Sequence, residues 1–281
     1  MVEIISQLTE IGFNKLEAEV YLYLLANPPA TAYRIGKQIN KPTANVYKAI
    51  ESLAIMGAVV VEDNKTKLCK SVDSNEFIGH YERALKEKTK TLKSVLQNIK
   101  REIADEKTYS INSVPLVFER FRTMMDRCNS IAVVDAFPKA LERVVDSIEA
   151  ATSRGVEVYV EAYQPIKIKG ADVVCASIGE KALSHWKSQQ LNLIIDGEEN
   201  LIALMDNNIE IVKQATWSSN TYLSCLLHAG TLKEQTVMKI MAELDTPDFA
   251  EKTKMILERQ KFFFNTNISG FNKLFNNESN M

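Results

Sequence analysis

No stretch of the chain approaches the roughly eighteen uninterrupted apolar residues that a membrane span requires. The N-terminus also lacks the basic n-region of a secretory leader. MVEIISQLTEIG carries Glu3 and Glu10 and runs straight into a helical pattern, so a cytoplasmic chain with no membrane partner is expected. Cysteine is sparse: Cys69, Cys128, Cys175 and Cys225 stand alone, without CxxC spacing or a neighbouring histidine. That argues against a disulfide framework and gives no reason to expect a metal or a cofactor. A dominant charge is missing as well, with 34 basic residues against 36 acidic ones. What remains is 281 residues, 46% hydrophobic and 25% charged, the composition of a globular protein at a length that suggests two domains.

The chain is organised around residues 31–57, TAYRIGKQINKPTANVYKAIESLAIMG. Ala32, Ile35 and Ile39 follow helical spacing after Thr31, a residue suited to an N-cap. Asn40-Lys41-Pro42 breaks that helix, because proline lacks an amide donor and restricts the residue before it. Thr43 is expected to cap a second helix, on which Val46, Ala49, Ile50 and Leu53 share one face, and Gly57 offers a left-handed stop. Two helices around a tight turn make a helix-turn-helix, whose second helix enters the DNA major groove; an ordinary helical hairpin is the plainer alternative.

Residues 58–72, AVVVEDNKTKLCKSV, tip the balance. Their β-branched runs flank a polar tip at Asp63-Asn64, a hairpin pattern that would serve as a wing. Between residues 31 and 72 seven basic side chains (Arg34, Lys37, Lys41, Lys48, Lys65, Lys67 and Lys70) face three acidic ones. In a chain of net charge −2, that local excess marks the surface that would meet phosphates. Upstream, residues 2–11 form an amphipathic helix, and Asn14 caps a second one, KLEAEVYLYLLAN, which ends at Pro28-Pro29.

GFNKLEAEVYLYLL followed by ATAYRIGKQINKPTANVYKAIESLAIMGAVV resembles the DNA-binding domain of the TrmB family of prokaryotic winged-helix transcription regulators. The shared order is a glycine–aromatic lead-in, a helix ending in LL, a turn before a VY-containing recognition helix, and L-x-x-x-G before the wing. One departure is Ala44, where such helices often carry a polar or basic residue. The resemblance implies that double-stranded DNA is the partner and that Thr43, Asn45 and Lys48 reach base edges, with Tyr47 at the margin. Asn45 suits adenine, and Lys48 suits a guanine edge or a phosphate. Lys65 and Lys67 on the wing are expected at phosphates or in the minor groove, and Arg34 and Lys41 are further DNA-binding candidates. Tyr47 and Tyr33 each have packing as an alternative.

Residues 76–107 contain no proline and are rich in helix formers. Ile78, Leu85, Leu92 and Ile99 recur every seven residues, with Leu96 and Ile103 completing a narrow seam that Lys88 interrupts. Such a seam, flanked by charge, suits a coiled coil and hence a homodimer, although a helix packed on its own second domain would show a similar stripe.

Beyond residue 108 the period changes. Residues 109–115 read as a connector, PLVFERFRTMMDRC as a helix, 131–137 as a strand, 138–154 as one helix and 156–163 as a second strand parallel to the first. Strands are expected at 171–177, 191–196, 200–206 and 209–215, with Asp196-Gly197 at a hairpin turn. A helix over about 219–244, a last helix after Thr246-Pro247 and a disordered tail after Phe275 complete the pattern.

HWKSQQLNLIIDGEENLIAL with ATWSSN resembles the phospholipase D-like fold that forms the effector half of TrmB-family regulators. In the enzymes of that fold, a histidine and a lysine two apart precede an aspartate five further on. Here His185 and Lys187 keep the first spacing, position 192 is asparagine, Asp196 comes four residues late, and one copy stands where the enzymes use two. Catalysis is therefore not expected. Ligand binding is, at the strand ends, with Asp135, His185, Lys187, Trp217 and Asn220 as candidates; core packing for Trp217 and helix capping for Asn220 are the plainer readings. The longer sugar-sensing members continue into β-rich sequence, whereas this chain ends in a helix, so a sugar is not carried over.

The expected fold is thus two-domain, α+β and α/β. A winged helix-turn-helix occupies 1–75, a coiled-coil dimerisation helix 76–107, an α/β phospholipase D-like effector domain 108–245, and a C-terminal helix with a polar tail 246–281. The function expected is a dimeric, sequence-specific transcription regulator whose second domain meets a small-molecule effector or mediates assembly. A DNA-targeted phosphodiesterase and an architectural DNA-coating protein are the alternatives.

Overall fold

A computed structural model describes residues 2–63, 67–97, 106–176, 179–260 and 268–277. The chain divides into two compact units, Met1–Arg101 and Glu102–Met281.

The first unit opens with α1 (Val2–Glu10) and α2 (Lys15–Ala26). Asn14 starts α2 through a capping box: its side chain accepts the Glu17 amide at 2.9 Å, and the Glu17 carboxylate accepts the Asn14 amide at 2.7 Å. α3 (Ala32–Gln38) is capped by Thr31, whose hydroxyl accepts the Arg34 amide at 3.3 Å. The chain then turns through Asn40, at φ 55°, into α4 (Thr43–Ile55). Gly36 permits this turn, since a Cβ there would lie 2.9 Å from the Lys41 carbonyl oxygen. Thr43 does not cap α4. The Pro42 carbonyl already accepts the Asn45 and Val46 amides, so the helix starts one residue early and Thr43 falls inside its first turn. Gly57, at φ 77°, ends the helix as expected.

The wing is an antiparallel pair, β1 (Val59–Val61) and β2 (Cys69–Ser71), with Val59 opposite Ser71. Its tip, 64–66, lies outside the described residues and takes Lys65 with it. Val46, Ala49, Ile50 and Leu53 of α4 are buried, together with Ile35, Val20 and Leu24. α5 (Ser74–Gln97) begins inside this core: Phe77 is fully buried, its ring 5.6 Å from those of Phe13 and Tyr21, and the Tyr81 hydroxyl donates to the Ile11 carbonyl at 2.7 Å. From Leu85 to Leu96 every side chain is exposed, including the seam residues Leu85, Leu92 and Leu96. The remaining seam positions, Ile99 and Ile103, lie outside the described residues.

The second unit is a seven-stranded mixed sheet covered on both faces. Its strands are β3 (Thr108–Ser110), β4 (Ile131–Ala136), β5 (Glu157–Ala162), β6 (Asp172–Cys175), β7 (Ser188–Ile195), β8 (Glu199–Asp206) and β9 (Val212–Ser218), in the order β3-β9-β8-β7-β4-β5-β6. β4 and β5 are parallel, as the strand–helix–strand pattern indicated, β6 is parallel to β5, and the remaining pairs are antiparallel. Alternation along β4 sends Ala132, Val134 and Ala136 to one face, beneath α6 (Val114–Arg127), α7 (Pro138–Glu142) and α8 (Val145–Ser153). Ile131 and Val133 go to the other face with Leu232 of α10 (Thr221–Ala242) and Ile268. α9 (Gly179–His185), α11 (Phe249–Gln260) and α12 (Ser269–Asn277) complete the described helices.

Four expectations give way here. Residues 109–115 are more than a connector, because Tyr109 pairs across from Trp217 and makes β3 an edge strand. The helix over 138–154 is two helices, broken where Val144 leaves helical geometry at φ −123° and buries its side chain. The last strand begins at Val212, not 209: the Asp206 carboxylate accepts the Asn208, Glu210 and Ile211 amides, and Ile209 turns through φ 59°. The helix after Pro247 is followed by α12, which reaches Asn277, two residues past Phe275, where the tail was expected to begin. Gly270 donates its amide to the Asp196 carbonyl at 2.9 Å, and a Cβ on it would sit 2.2 Å from the Gly197 oxygen, so only glycine allows α12 this close to the β7–β8 turn. No helix among the described residues is long and apolar enough to cross a membrane.

Candidate functional site

α4 turns its apolar stripe into the first core and leaves Ala44, Asn45, Tyr47 and Lys48 exposed, while Thr43 is half-buried. Asn45 and Lys48 are one helical turn apart and so present an amide and an ammonium on the same side. Ala44 adds only a methyl group. Tyr47 is 52% exposed and lines a groove between α4 and the wing, with Glu51, Ile55, Val61 and Lys67 along it. Tyr33 and Arg34 are exposed on α3. Lys41 is held to Glu19 of α2 at 2.8 Å, which compensates part of its charge within the unit. Lys67 is exposed at φ 45°, at the start of the returning wing segment.

The five effector candidates of the second unit do not converge. Trp217 lies on β9 and packs against the sheet face under α6: Arg120 sits 4.0 Å above its ring, Tyr109 stacks at 5.5 Å, and its Nε1–H donates to Glu199, which also holds Arg127. Asn220 caps α10, its side-chain oxygen accepting the Leu223 amide at 2.8 Å. His185 is exposed at the end of α9, with Nδ1 2.8 Å from the Lys181 carbonyl oxygen, and Lys187 is exposed beyond it. Asp135 stands three strands from Trp217 and on the opposite face. Neither aspartate position of the enzyme-like pattern has a free carboxylate. At position 192 the asparagine amide donates to Asp135, and Asp196 accepts the Asn129, Ser130 and Ile131 amides, each at 2.9 Å.

Asp135 instead belongs to a buried polar network at the carboxyl ends of β4 and β5. Gln190 and Asn192 donate to it at 2.7 and 3.0 Å, and Glu161 is its direct cross-strand neighbour. The Tyr163 hydroxyl donates to Glu161 at 3.1 Å and accepts from Gln190 at 3.4 Å. Glu161 is 1% exposed, and its second carboxylate oxygen has no hydrogen-bond partner among the described residues. Burial, reinforced by Asp135 and Glu234, pushes the Glu161 carboxyl up to about 8, and burial raises Asp135 as well. Because the folded-state pKa of Glu161 lies above that of the unfolded chain, the native state holds the extra proton between about pH 4.5 and 8. Stability from this group is complete below that window and is lost as pH rises through it. Thermal melts from pH 5 to 8.5 should show Tm falling by several degrees, and Glu161→Gln should flatten the profile.

Sequence reasoning found Asp135 and missed Glu161, Tyr163, Gln190 and Asn192. The available signal was a carboxylate at the same place in two neighbouring strands, in VVDA and VYVEAY. A separate cavity of about 240 Å³ lies between Tyr159, α10 and α11, where Lys239 and Arg259 both pair with Asp172 at 2.7 and 3.3 Å.

Residues 8–75 match the family described as sugar-specific transcriptional regulator TrmB. The uncharacterized protein YrhO of Bacillus subtilis is 20% identical over 252 residues, covering 89% of this chain and 88% of its own length. Among solved structures, the archaeal chromatin protein TrmBL2, described as showing a novel mode of DNA binding, aligns at 16% identity with a TM-score of 0.41, covering 83% of this chain and 96% of that one. NucT from Helicobacter pylori aligns at 11% identity with a TM-score of 0.36, covering 45% and 94%. The matched residues, 8–75, are those that form the winged helix-turn-helix of this chain.

Proposed function

We propose that this protein is a dimeric, sequence-specific DNA-binding transcription regulator, in which α4 reads the major groove and α5 pairs two copies. The observation that carries the reading is Asn45 beside Lys48 on the exposed face of α4, next to a two-stranded wing, in a segment matching a family of transcriptional regulators. Asn45 is suited to adenine, Lys48 to guanine or phosphate, and Arg34, Lys65 and Lys67 to the backbone, with Thr43 and Tyr47 at the edge of the contact. Lys41 contributes less, since Glu19 already holds it.

Dimerisation is supported by α5, whose leucines at 85, 92 and 96 are exposed on a heptad seam. Two copies would set their recognition helices on half-sites about one DNA turn apart. The second unit is the regulatory half and carries no catalysis in this reading: His185 and Lys187 lack the aspartate of the enzyme pattern, and Asn192 and Asp196 have structural partners. An effector acts through the carboxyl ends of β4 and β5, where Asp135, Glu161, Tyr163 and Gln190 gather polar side chains, by favouring one spacing of the two winged domains.

Selection of bound sequences from a random duplex pool, at fixed salt, tests this directly. An enriched inverted repeat with half-site centres about 10 bp apart is expected. Recovery of a pool without sequence preference would favour the architectural, DNA-coating alternative.

A further inference from the structure

The cavity between β5, α10 and α11 has an apolar body with a polar group at each end. The ring of Tyr159, Leu232 of α10, and Met255 and Ile256 of α11 form the body. Gln235, only 2% exposed, forms the inner end. Its Nε2 donates to the Val134 carbonyl at 3.4 Å, and that contact fixes which way round the amide lies, because only the nitrogen can donate to a carbonyl oxygen. Oε1 is then left without a hydrogen-bond partner among the described residues, in a side chain that borders an open volume of about 240 Å³. A buried acceptor left unmatched is costly, so one beside such a volume is set up to receive a donor from whatever fills it.

The outer end is cationic. Lys239 lies one helical turn beyond Gln235 on the same side of α10, and Arg259 comes from α11. Both contact the same oxygen of Asp172, at 2.7 and 3.3 Å. Glu157, a second carboxylate at this end, accepts the Tyr159 hydroxyl at 2.8 Å. An ammonium has three N–H donors and a guanidinium five, so one shared carboxylate oxygen leaves donors of both cations for a further anion. The Arg259 side chain is 60% exposed, which lets an anion reach it from solvent.

We infer that this cavity binds a small aromatic carboxylic acid that carries a hydroxyl group at the end opposite its carboxylate. The carboxylate pairs with Lys239 and Arg259 at the mouth, the ring lies against Tyr159 and Leu232, and the hydroxyl donates to Gln235 Oε1. The span fits, since side chains four residues apart on a helix start about 6 Å from each other, roughly the distance across a substituted benzene ring. The size fits as well: about 240 Å³ is just below the roughly 300–1,000 Å³ of pockets for drug-sized molecules and suits a single ring. Other ligand classes match less of the lining. A free amino acid would bring its ammonium to Lys239 and Arg259 along with its carboxylate, a neutral sugar would leave both cations unused, and a plain hydrocarbon acid would leave Gln235 unmatched. The site uses none of the residues of the network around Asp135 and Glu161 and does not rest on the DNA-binding reading.

Ligand-observed NMR titrations of the full chain with para-hydroxybenzoate, benzoate and para-hydroxybenzamide test it. Para-hydroxybenzoate should bind saturably, with a Kd between about 10 μM and 1 mM. Benzoate lacks the inner donor and the amide lacks the charge, so each should bind about tenfold more weakly. Arg259→Met should cost para-hydroxybenzoate about tenfold and the uncharged amide little. Gln235→Leu should bring para-hydroxybenzoate down to the level of benzoate and leave benzoate unchanged, a coupling between ligand hydroxyl and side chain that a structural role of Gln235 would not produce. Unchanged far-UV spectra check that both variants fold, and the comparison of the three probes on the wild type stands without them. Absence of saturable para-hydroxybenzoate binding up to about 10 mM, equal affinity for the three probes, or binding that both variants leave unchanged would overturn the inference.

Discussion

Replacing Leu85 and Leu92 together by aspartate is expected to weaken binding to an inverted-repeat site by about 10² to 10³, measured at nanomolar chain concentration, while leaving the melting of the first unit unchanged. Both residues sit where α5 has left the core of Phe13, Tyr21 and Phe77, and neither belongs to that core: they are 48% and 55% exposed. Their replacement therefore leaves that core intact. It does place like charges face to face on the seam that joins two copies, which a narrow heptad interface cannot absorb. Two winged domains that are no longer joined bind their half-sites independently, and the advantage of a high effective concentration is lost. Affinity for a single isolated half-site should change little. A loss of half-site binding as well would mean that α5 supports the winged domain itself.

Asp196→Ala is expected to destabilise the second unit by roughly 3 kcal/mol, a fall of roughly 6–12 °C in Tm. Asp196 is 6% exposed at the β7–β8 turn, with φ 52°. Its carboxylate gathers the amides of Asn129, Ser130 and Ile131, the three residues that lead the chain from α6 into β4. Alanine leaves these donors without their acceptor, and a donor left unmatched away from water costs more than the hydrogen bond was worth. Asp196→Asn should recover only part of the loss, because one of its two side-chain heavy atoms becomes a donor facing donors. Differential scanning calorimetry of both variants checks the order. A shift below about 2 °C for the alanine variant would show that water replaces the carboxylate at this turn.

What could be read from the sequence follows the range of the interactions involved. Asn14 and Thr31 bond amides three residues away, and both caps were legible. Thr43 was misread as a cap because the Pro42 carbonyl claims the first helical amides. The parallel pair β4 and β5 was legible because each strand is an apolar run and the crossover between them has the right length. β3 was not, since three exposed residues acquire strand geometry only by pairing with a segment more than a hundred positions later. The Asp206 turn displaced the start of β9 by three residues through bonds that composition does not reveal.

The candidate sites divide in the same way. Asn45 and Lys48 were legible because both lie on one helix whose buried face is written in the sequence. The polar network was not, because Asp135, Glu161, Gln190 and Asn192 come from three strands brought together only by the sheet. For Trp217 and Asn220 the fold takes the plainer of the two readings that the sequence allowed, core packing and helix capping.

The central claim is that α4 reads DNA, and a salt-controlled anisotropy titration tests it most directly, comparing the wild type with Asn45→Ala and Lys48→Ala on the selected operator and on a scrambled duplex. Asn45→Ala should lose about tenfold to a hundredfold on the operator and little on scrambled DNA, the mark of a base contact. Lys48→Ala should weaken operator binding and, if it holds a phosphate, lower the salt slope by about one. Wild-type affinity and an unchanged salt slope for both variants would contradict the assignment of α4 as the reading helix.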